Sequence, residues 1–155
     1  MDKIDALNQV AEFHRTFQHP ILDNPEIPSE KRCKLRVELI REELNELEEA
    51  IRDKDLVEVA DALCDIQYVL AGAVLEFGLG ERFVELFNEV QRSNMSKACV
   101  SKEEADATVE HFRAQGQECH YEEVDGKFLV YRTGDHKTMK SVNYSPAELK
   151  SIVER

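Results

Sequence analysis

Apolar side chains recur at steps of three and four through the first two thirds of the chain. Glycine and proline are scarce there before residue 115, so the pattern predicts successive helices. A first helix is expected from about Ile4 to Phe17, followed by a loop from His19 to Pro28 that holds three of the four prolines. A second helix begins near Ser29 and continues to about Asp53. Its seam of Val37, Ile40, Leu44, Leu47 and Ile51 alternates three and four like a bundle helix. Asp55 is placed to cap a third helix, with Glu58 three positions on as a capping-box partner. That helix runs to about Phe77 and stops at Gly78 and Gly80. A fourth is expected from Glu81 to about Lys97, and Ser101 with Glu104 opens a fifth.

The last forty residues change period. Tyr121 to Tyr131 reads as two β-prone runs joined by Asp125-Gly126, a hairpin signal. Ser145-Pro146 then starts a terminal helix, with serine as cap and proline in the first turn. The fold class expected is all-α: a four-helix-type bundle core with a small C-terminal β-hairpin and a terminal helix. It is read as a single domain over residues 1–155, with a helical core to about 115 and the hairpin and tail from about 116.

One run breaks the rule that buried faces are apolar. From Val59 to Leu75 the only strongly polar side chains are Asp61, Asp65 and Gln67, and no Lys, Arg or His lies inside to pair with them. Carboxylates in an apolar setting are neutralised, paired with a cation or bound to a metal. At helical spacing Glu58, Asp61 and Asp65 share one narrow stripe, opposite Leu56, Leu63 and Leu70, while Glu43 and Glu46 fall on neighbouring turns beside the second helix's seam. Antiparallel packing across a short connection brings the two acidic groups together. Two carboxylates about 6 Å apart repel by roughly 2–3 kcal/mol at an effective dielectric near 20, so four of them favour a counter-cation. Oxygen ligands without His or Cys suit Mg²⁺, or Mn²⁺, better than zinc or copper. The plainer readings are that Glu42, Glu48 and Glu49 form a solvated face and that Glu58 only caps its helix.

Composition narrows the partners. A net charge of −12 argues against binding polymeric nucleic acid or an anionic membrane surface. The four cysteines (Cys33, Cys64, Cys99 and Cys119) are widely spaced, which fits reduced thiols and a cytoplasmic location. Met1 to Asp5 lacks the apolar core of a leader segment, and the longest apolar run carries two aspartates, which argues against a membrane span. There is neither a G-x-x-x-x-G-K-[ST] nor a G-x-G-x-x-G turn, so phosphate binding would not use a glycine-rich cradle.

The E-E-x-x-E of Glu42 to Glu46 is followed after a short interval by the E-x-x-D of Glu58 to Asp61. Together they resemble the MazG-like all-α nucleoside triphosphate pyrophosphohydrolases, in a branch similar to phosphoribosyl-ATP pyrophosphohydrolase. Supporting stretches are Phe13-His14, Arg92-Ser93-Asn94-Met95-Ser96-Lys97, and the tail from Lys137 to Pro146. The resemblance implies Mg²⁺ ligands at Glu43, Glu46, Glu58 and Asp61. It also implies cleavage of a nucleoside triphosphate between the α- and β-phosphates, to the monophosphate and pyrophosphate. A carboxylate such as Glu42, or one of the ligands such as Glu46, is placed to take the proton of the attacking water. Asn94, Lys97, Lys140 and Asp65 are the expected substrate contacts, with Arg36 and Arg92 as weaker candidates. His14 is read as a packed or hydrogen-bonded residue, and Tyr68 as core or as a platform for a base.

Two alternatives stand beside this reading: a biosynthetic hydrolase acting on phosphoribosyl-ATP, and a non-catalytic acidic helical interaction protein. A third helix apolar on nearly every side needs more cover than so few helices give, so a homodimer or homotetramer is expected.

Overall fold

The computed structural model describes residues 4–155, so residues 1–3, where the expectation about a leader segment begins, lie outside it. Six α-helices and one hairpin follow in the order α1 (Ala6–Thr16), α2 (Glu30–Asp53), α3 (Leu56–Glu76), a 3₁₀ turn (Gly80–Arg82), α4 (Phe83–Met95), α5 (Lys102–Arg113), β1 (Cys119–Val124), β2 (Lys127–Arg132) and α6 (Lys150–Val153). The chain divides into two compact units, one reaching Phe83 and joined by Glu154, the other spanning Val84–Val153 with Arg155. Among the described residues no single helix is long and apolar enough to cross a membrane.

In the first unit α2 and α3 form an antiparallel pair, and α1 lies against α3. The reversal needs only two residues. Lys54 takes a left-handed conformation as the C-cap of α2, and the Asp55 carboxylate accepts from the backbone N–H groups of Val57 and Glu58 at 2.9 and 3.2 Å. The expected capping box is only half made. The Asp55 N–H is already spent on the Ala50 carbonyl (3.0 Å), which leaves the Glu58 side chain unused for capping. Val10 and Ala11 of α1 pack with Ala71 and Leu75 of α3 to form the core of this unit. After α3 the chain turns at Gly78, where φ is +65° and a Cβ would fall 1.9 Å from the Asn24 carbonyl oxygen.

The bundle seam is more divided than the sequence suggests. Ile40 and Leu47 are half-buried, but Val37, Leu44 and Ile51, seven residues apart, are 54, 47 and 59% exposed. On α3, Leu56, Leu63 and Leu70 show the same heptad spacing at 79, 52 and 40% exposure. Each helix thus carries an outward apolar row besides its inward one.

The second unit closes α5 over the hairpin. Cys99, Ala105, Val109, Cys119, Val130 and Met139 form its core, flanked by Phe112, Tyr121 and Phe128. Ser101 caps α5 as expected, accepting from the Glu104 N–H at 3.2 Å, while Glu104 returns to the Val100 N–H at 3.0 Å. The hairpin pairs Cys119 with Arg132 through Val124 with Lys127, and turns at Asp125 and Gly126, both with positive φ. The terminal helix begins later than Ser145: only Lys150–Val153 is helical. Ser145 does not cap it, because its hydroxyl accepts from Arg92 at 3.0 Å and the Pro146 carbonyl takes a second Arg92 N–H at 2.9 Å.

Candidate metal and nucleotide site

Helix pairing puts acidic side chains of α2 and α3 into one electrostatic group. Burial raises the Glu43 carboxyl above the ordinary range, and the charges of Glu46, Asp65, Glu42 and Asp61, in that order, push it further. These five come from both helices, Glu42, Glu43 and Glu46 from α2 and Asp61 and Asp65 from α3. Glu43 and Asp65 are half-buried, whereas Glu42, Glu46, Glu58 and Asp61 are exposed. The Glu43 Oε2 atom is buried and has no hydrogen-bond partner. Among the described residues none of these carboxylates forms an ion pair with Lys, Arg or His. Glu58, one helical turn before Asp61, is not among the groups acting on Glu43. No three of the six bring ligand oxygens within 4.8 Å of one another, a spacing that like charges favour.

An orphaned buried carboxylate oxygen amid uncompensated negative charge fits a hard divalent cation, since such an ion supplies the missing partner and offsets the repulsion. That donor set is all oxygen, which suits Mg²⁺ or Mn²⁺.

One turn along from this cluster lies a cavity of about 380 Å³, lined by Val10, Phe13, His14, His19, Arg32, Leu35, Arg36, Leu39, Tyr68 and Val69. Leu39 stands four residues before Glu43, and Val69 four after Asp65, so the cavity wall continues onto the acidic stripe. Tyr68 meets the edge of Phe13 at 5.6 Å and is 39% exposed, so it lines the cavity rather than filling the core.

Behind the cavity sits a polar knot that the sequence pattern did not reveal. Glu76, 1% exposed, receives Arg32 Nε at 2.9 Å, Arg32 Nη2 and Arg36 Nη2. Burial alone would raise its carboxyl, but hydrogen bonds from Arg32 and then Arg36, with their charges, outweigh it and hold the group below the usual carboxylate range. His14 Nδ1 donates to the Pro20 carbonyl (2.9 Å), so Nε2 is left as an acceptor facing Arg36 Nη2 at 3.4 Å. Desolvation lowers the His14 pKa and Arg36 opposes its protonation, which keeps the ring neutral. It is the packed residue expected, and Arg36 is a buried partner of Glu76 rather than a free phosphate contact. Gly72 makes the knot possible: a Cβ there would lie 2.6 Å from Arg36 Nη1 and 3.1 Å from His14 Nε2. The available signal was Arg32 and Arg36, four apart on α2, with a carboxylate at the end of an apolar helix.

The remaining expected contacts belong to the second unit. Lys97 Nζ donates to Asn94 Oδ1 at 2.8 Å, and Lys140 Nζ sits 4.5 Å from the centre of the Tyr144 ring. Arg92 is committed to Glu89, whose carboxyl it holds down to about 2, so it is not free for phosphate. The Ser-Asn-Met-Ser-Lys stretch divides its labour. Ser93 joins the Tyr144 hydroxyl at 2.9 Å and Ser96 receives the Ser145 N–H at 3.0 Å, anchoring the tail, while Asn94 and Lys97 form their own pair.

The sequence model of the phosphoribosyl-ATP pyrophosphohydrolase family matches residues 10–94, which hold both acidic motifs and the cavity. An uncharacterized protein of Acanthamoeba polyphaga mimivirus is 39% identical over 87 residues, covering 50% of this chain and 33% of its own. The chain therefore spans about a third of the length of that relative.

Proposed function

Because the chain belongs to the phosphoribosyl-ATP pyrophosphohydrolase family, we propose that it is an Mg²⁺-dependent nucleoside triphosphate pyrophosphohydrolase. It cleaves (d)NTP between the α- and β-phosphates to give the monophosphate and pyrophosphate. The observation that carries this reading is the buried, partnerless Glu43 Oε2 among carboxylates of both helices. Glu43, Glu46, Glu58 and Asp61 hold the cation, and Glu58 is free for this because it makes no capping bond. When bound, Mg²⁺ or Mn²⁺ offsets the charge of the triphosphate and of the transition state.

The protein's own groups do the rest. Glu42 or Glu46 accepts a proton as the water oxygen attacks the α-phosphorus, and the α–β bridging oxygen departs with pyrophosphate. Phe13 and Tyr68 offer aromatic walls for a base in the cavity, and Asp65, one turn away, accepts a hydrogen bond from the nucleoside. Asn94, Lys97 and Lys140 are proposed phosphate contacts, supported by their charge and polarity alone. A second copy covers the outward apolar rows of α2 and α3, giving a homodimer or homotetramer. Four free thiols fit a cytoplasmic setting.

The family's own description favours a second substrate, phosphoribosyl-ATP, which presents the same bond to the same groups. The test is a panel of NTPs, dNTPs and phosphoribosyl-ATP with Mg²⁺, assayed for pyrophosphate and orthophosphate separately. Pyrophosphate release that disappears in Asp61→Asn supports the proposal. Orthophosphate as the first product would mean that a different bond is cut, and no turnover of any member together with no Mg²⁺-dependent thermal shift favours a non-catalytic interaction protein instead.

A further inference from the structure

The hairpin carries a second cluster of donor side chains, chemically unlike the carboxylates of the helix pair. His120, Glu122 and His136 each offer a ligand atom, and the three atoms lie within 4.8 Å of one another. We propose that they form a site for a borderline transition-metal dication, with Zn²⁺ as the representative ion. Zn²⁺ takes imidazole nitrogen and carboxylate oxygen at about 2.0–2.2 Å, so tetrahedral neighbours stand about 3.3–3.5 Å apart. His120 Nε2 and Glu122 Oε1 are already 3.9 Å apart, and a modest side-chain rotation closes the set.

The backbone aims these groups before any ion arrives. His120 and Glu122 are two apart on β1 and so share one face. His136 comes from the turn after β2, held at φ +56° and closed by its N–H to the Arg132 carbonyl at 2.9 Å. Left-handed geometry is uncommon outside glycine, though histidine is among the residues that tolerate it. Arg132 braces the same turn through Asp135, at 2.8 Å from Nε. Tyr131, the cross-strand partner of His120, stacks on the His136 ring at 4.0 Å and 15°, fixing its plane. On the other ring, His120 Nδ1 faces the Thr133 hydroxyl at 3.4 Å, which leaves Nε2 for the ion. A hydrogen bond on the non-ligating nitrogen is the usual outer support of a metal-bound imidazole.

Two nitrogens and one carboxylate select Zn²⁺, Ni²⁺ or Cu²⁺ and disfavour Mg²⁺, so the two clusters sort ions by donor chemistry. His120 and Glu122 side chains are 44 and 54% exposed, so an ion reaches them directly and water completes its shell. Ligation stitches the turn of residues 133–136 to β1.

The experiment is a Zn²⁺ titration of the full chain in a large excess of Mg²⁺, read by calorimetry and by the histidine ring resonances in NMR. One equivalent binds, the His120 and His136 ring signals shift, and those of His111 on α5 do not. His120→Ala and His136→Ala each weaken binding at least tenfold, Glu122→Gln several-fold, and Thr133→Val by an intermediate amount. Far-UV circular dichroism checks that each variant folds, and if one does not, the wild-type ring shifts decide alone. Absence of saturable Zn²⁺ binding, binding undiminished in the His120→Ala/His136→Ala double variant, or ring shifts confined to other histidines overturns the proposal.

Discussion

Replacing Glu43 by glutamine should stabilise the metal-free protein, the reverse of what removing a structural carboxylate does. Burial withdraws the Glu43 carboxylate from water, four like charges from Glu46, Asp65, Glu42 and Asp61 act on it as well, and its Oε2 lacks a donor. Taking a separation of about 7 Å in a bulk-like dielectric, each pair costs about 0.6 kcal/mol, so four cost about 2.4 kcal/mol. Screening at physiological ionic strength, with a Debye length of about 8 Å, reduces the sum to about 1 kcal/mol. A glutamine amide removes that charge and can donate to the neighbouring carboxylates. For a chain of this size, a gain of about 1 kcal/mol raises Tm by about 2–4 °C. The pH dependence follows from a raised folded-state pKa: stability is fully present below the unfolded value of about 4.3 and is lost as pH rises through the folded one. The wild type and Glu43→Gln should therefore converge in acid and separate above that window, with a gap about twice as large at low salt. The assay is thermal unfolding of both proteins in chelator, across pH and salt, and then with Mg²⁺ and a non-hydrolysable nucleotide. Ligand should raise the wild-type Tm and leave the variant near its metal-free value. A variant less stable than wild type at neutral pH in chelator would make Glu43 a structural hydrogen-bonding residue and not a repelled cation ligand.

Three further outcomes are expected. Glu76→Gln leaves Arg32 and Arg36 without their buried counter-charge and should cost about 3–5 kcal/mol in chemical denaturation. Because the Glu76 pKa is lowered on folding, its contribution is present above the unfolded carboxyl value and fades as pH falls through the folded one, so the variant should show a flatter acid limb. Gly72→Ala pushes a methyl into Arg36 and should lower stability by about 1–3 kcal/mol, and a Tm unchanged from wild type would show that the knot yields freely. Leu63→Glu places a charge in the outward row of α3 and should shift sedimentation toward the monomer, and an unchanged coefficient would mean that this row is not an interface.

Much of the architecture is written in local signals. Asp55, Ser101 and Asp125-Gly126 mark a helix start, another helix start and a turn by side-chain or backbone chemistry that acts within four residues. Period alone also placed Glu43, Glu46, Asp61 and Asp65 on facing stripes, and the repulsion acting on Glu43 reflects that placement. Long-range competition was harder to read. Ser145 and Pro146 look like a helix start, yet Arg92, more than fifty residues earlier, takes both as acceptors and delays the helix. Likewise Val37, Leu44 and Ile51 of α2 read as inward, because periodicity gives the angle between residues but not which of two apolar rows meets a neighbour. The Glu76 knot depends on three segments meeting, and single-residue patterns do not encode that.

Mn²⁺ titration followed by electron paramagnetic resonance tests most directly whether the acidic stripes form one cation site. The free Mn²⁺ signal should fall saturably with wild-type protein, Mg²⁺ should restore it by competition, and Glu46→Gln and Asp61→Asn, on opposite helices, should each weaken the uptake at least tenfold. Uptake unaffected by either substitution, or lost in only one of them, would contradict a site shared between α2 and α3.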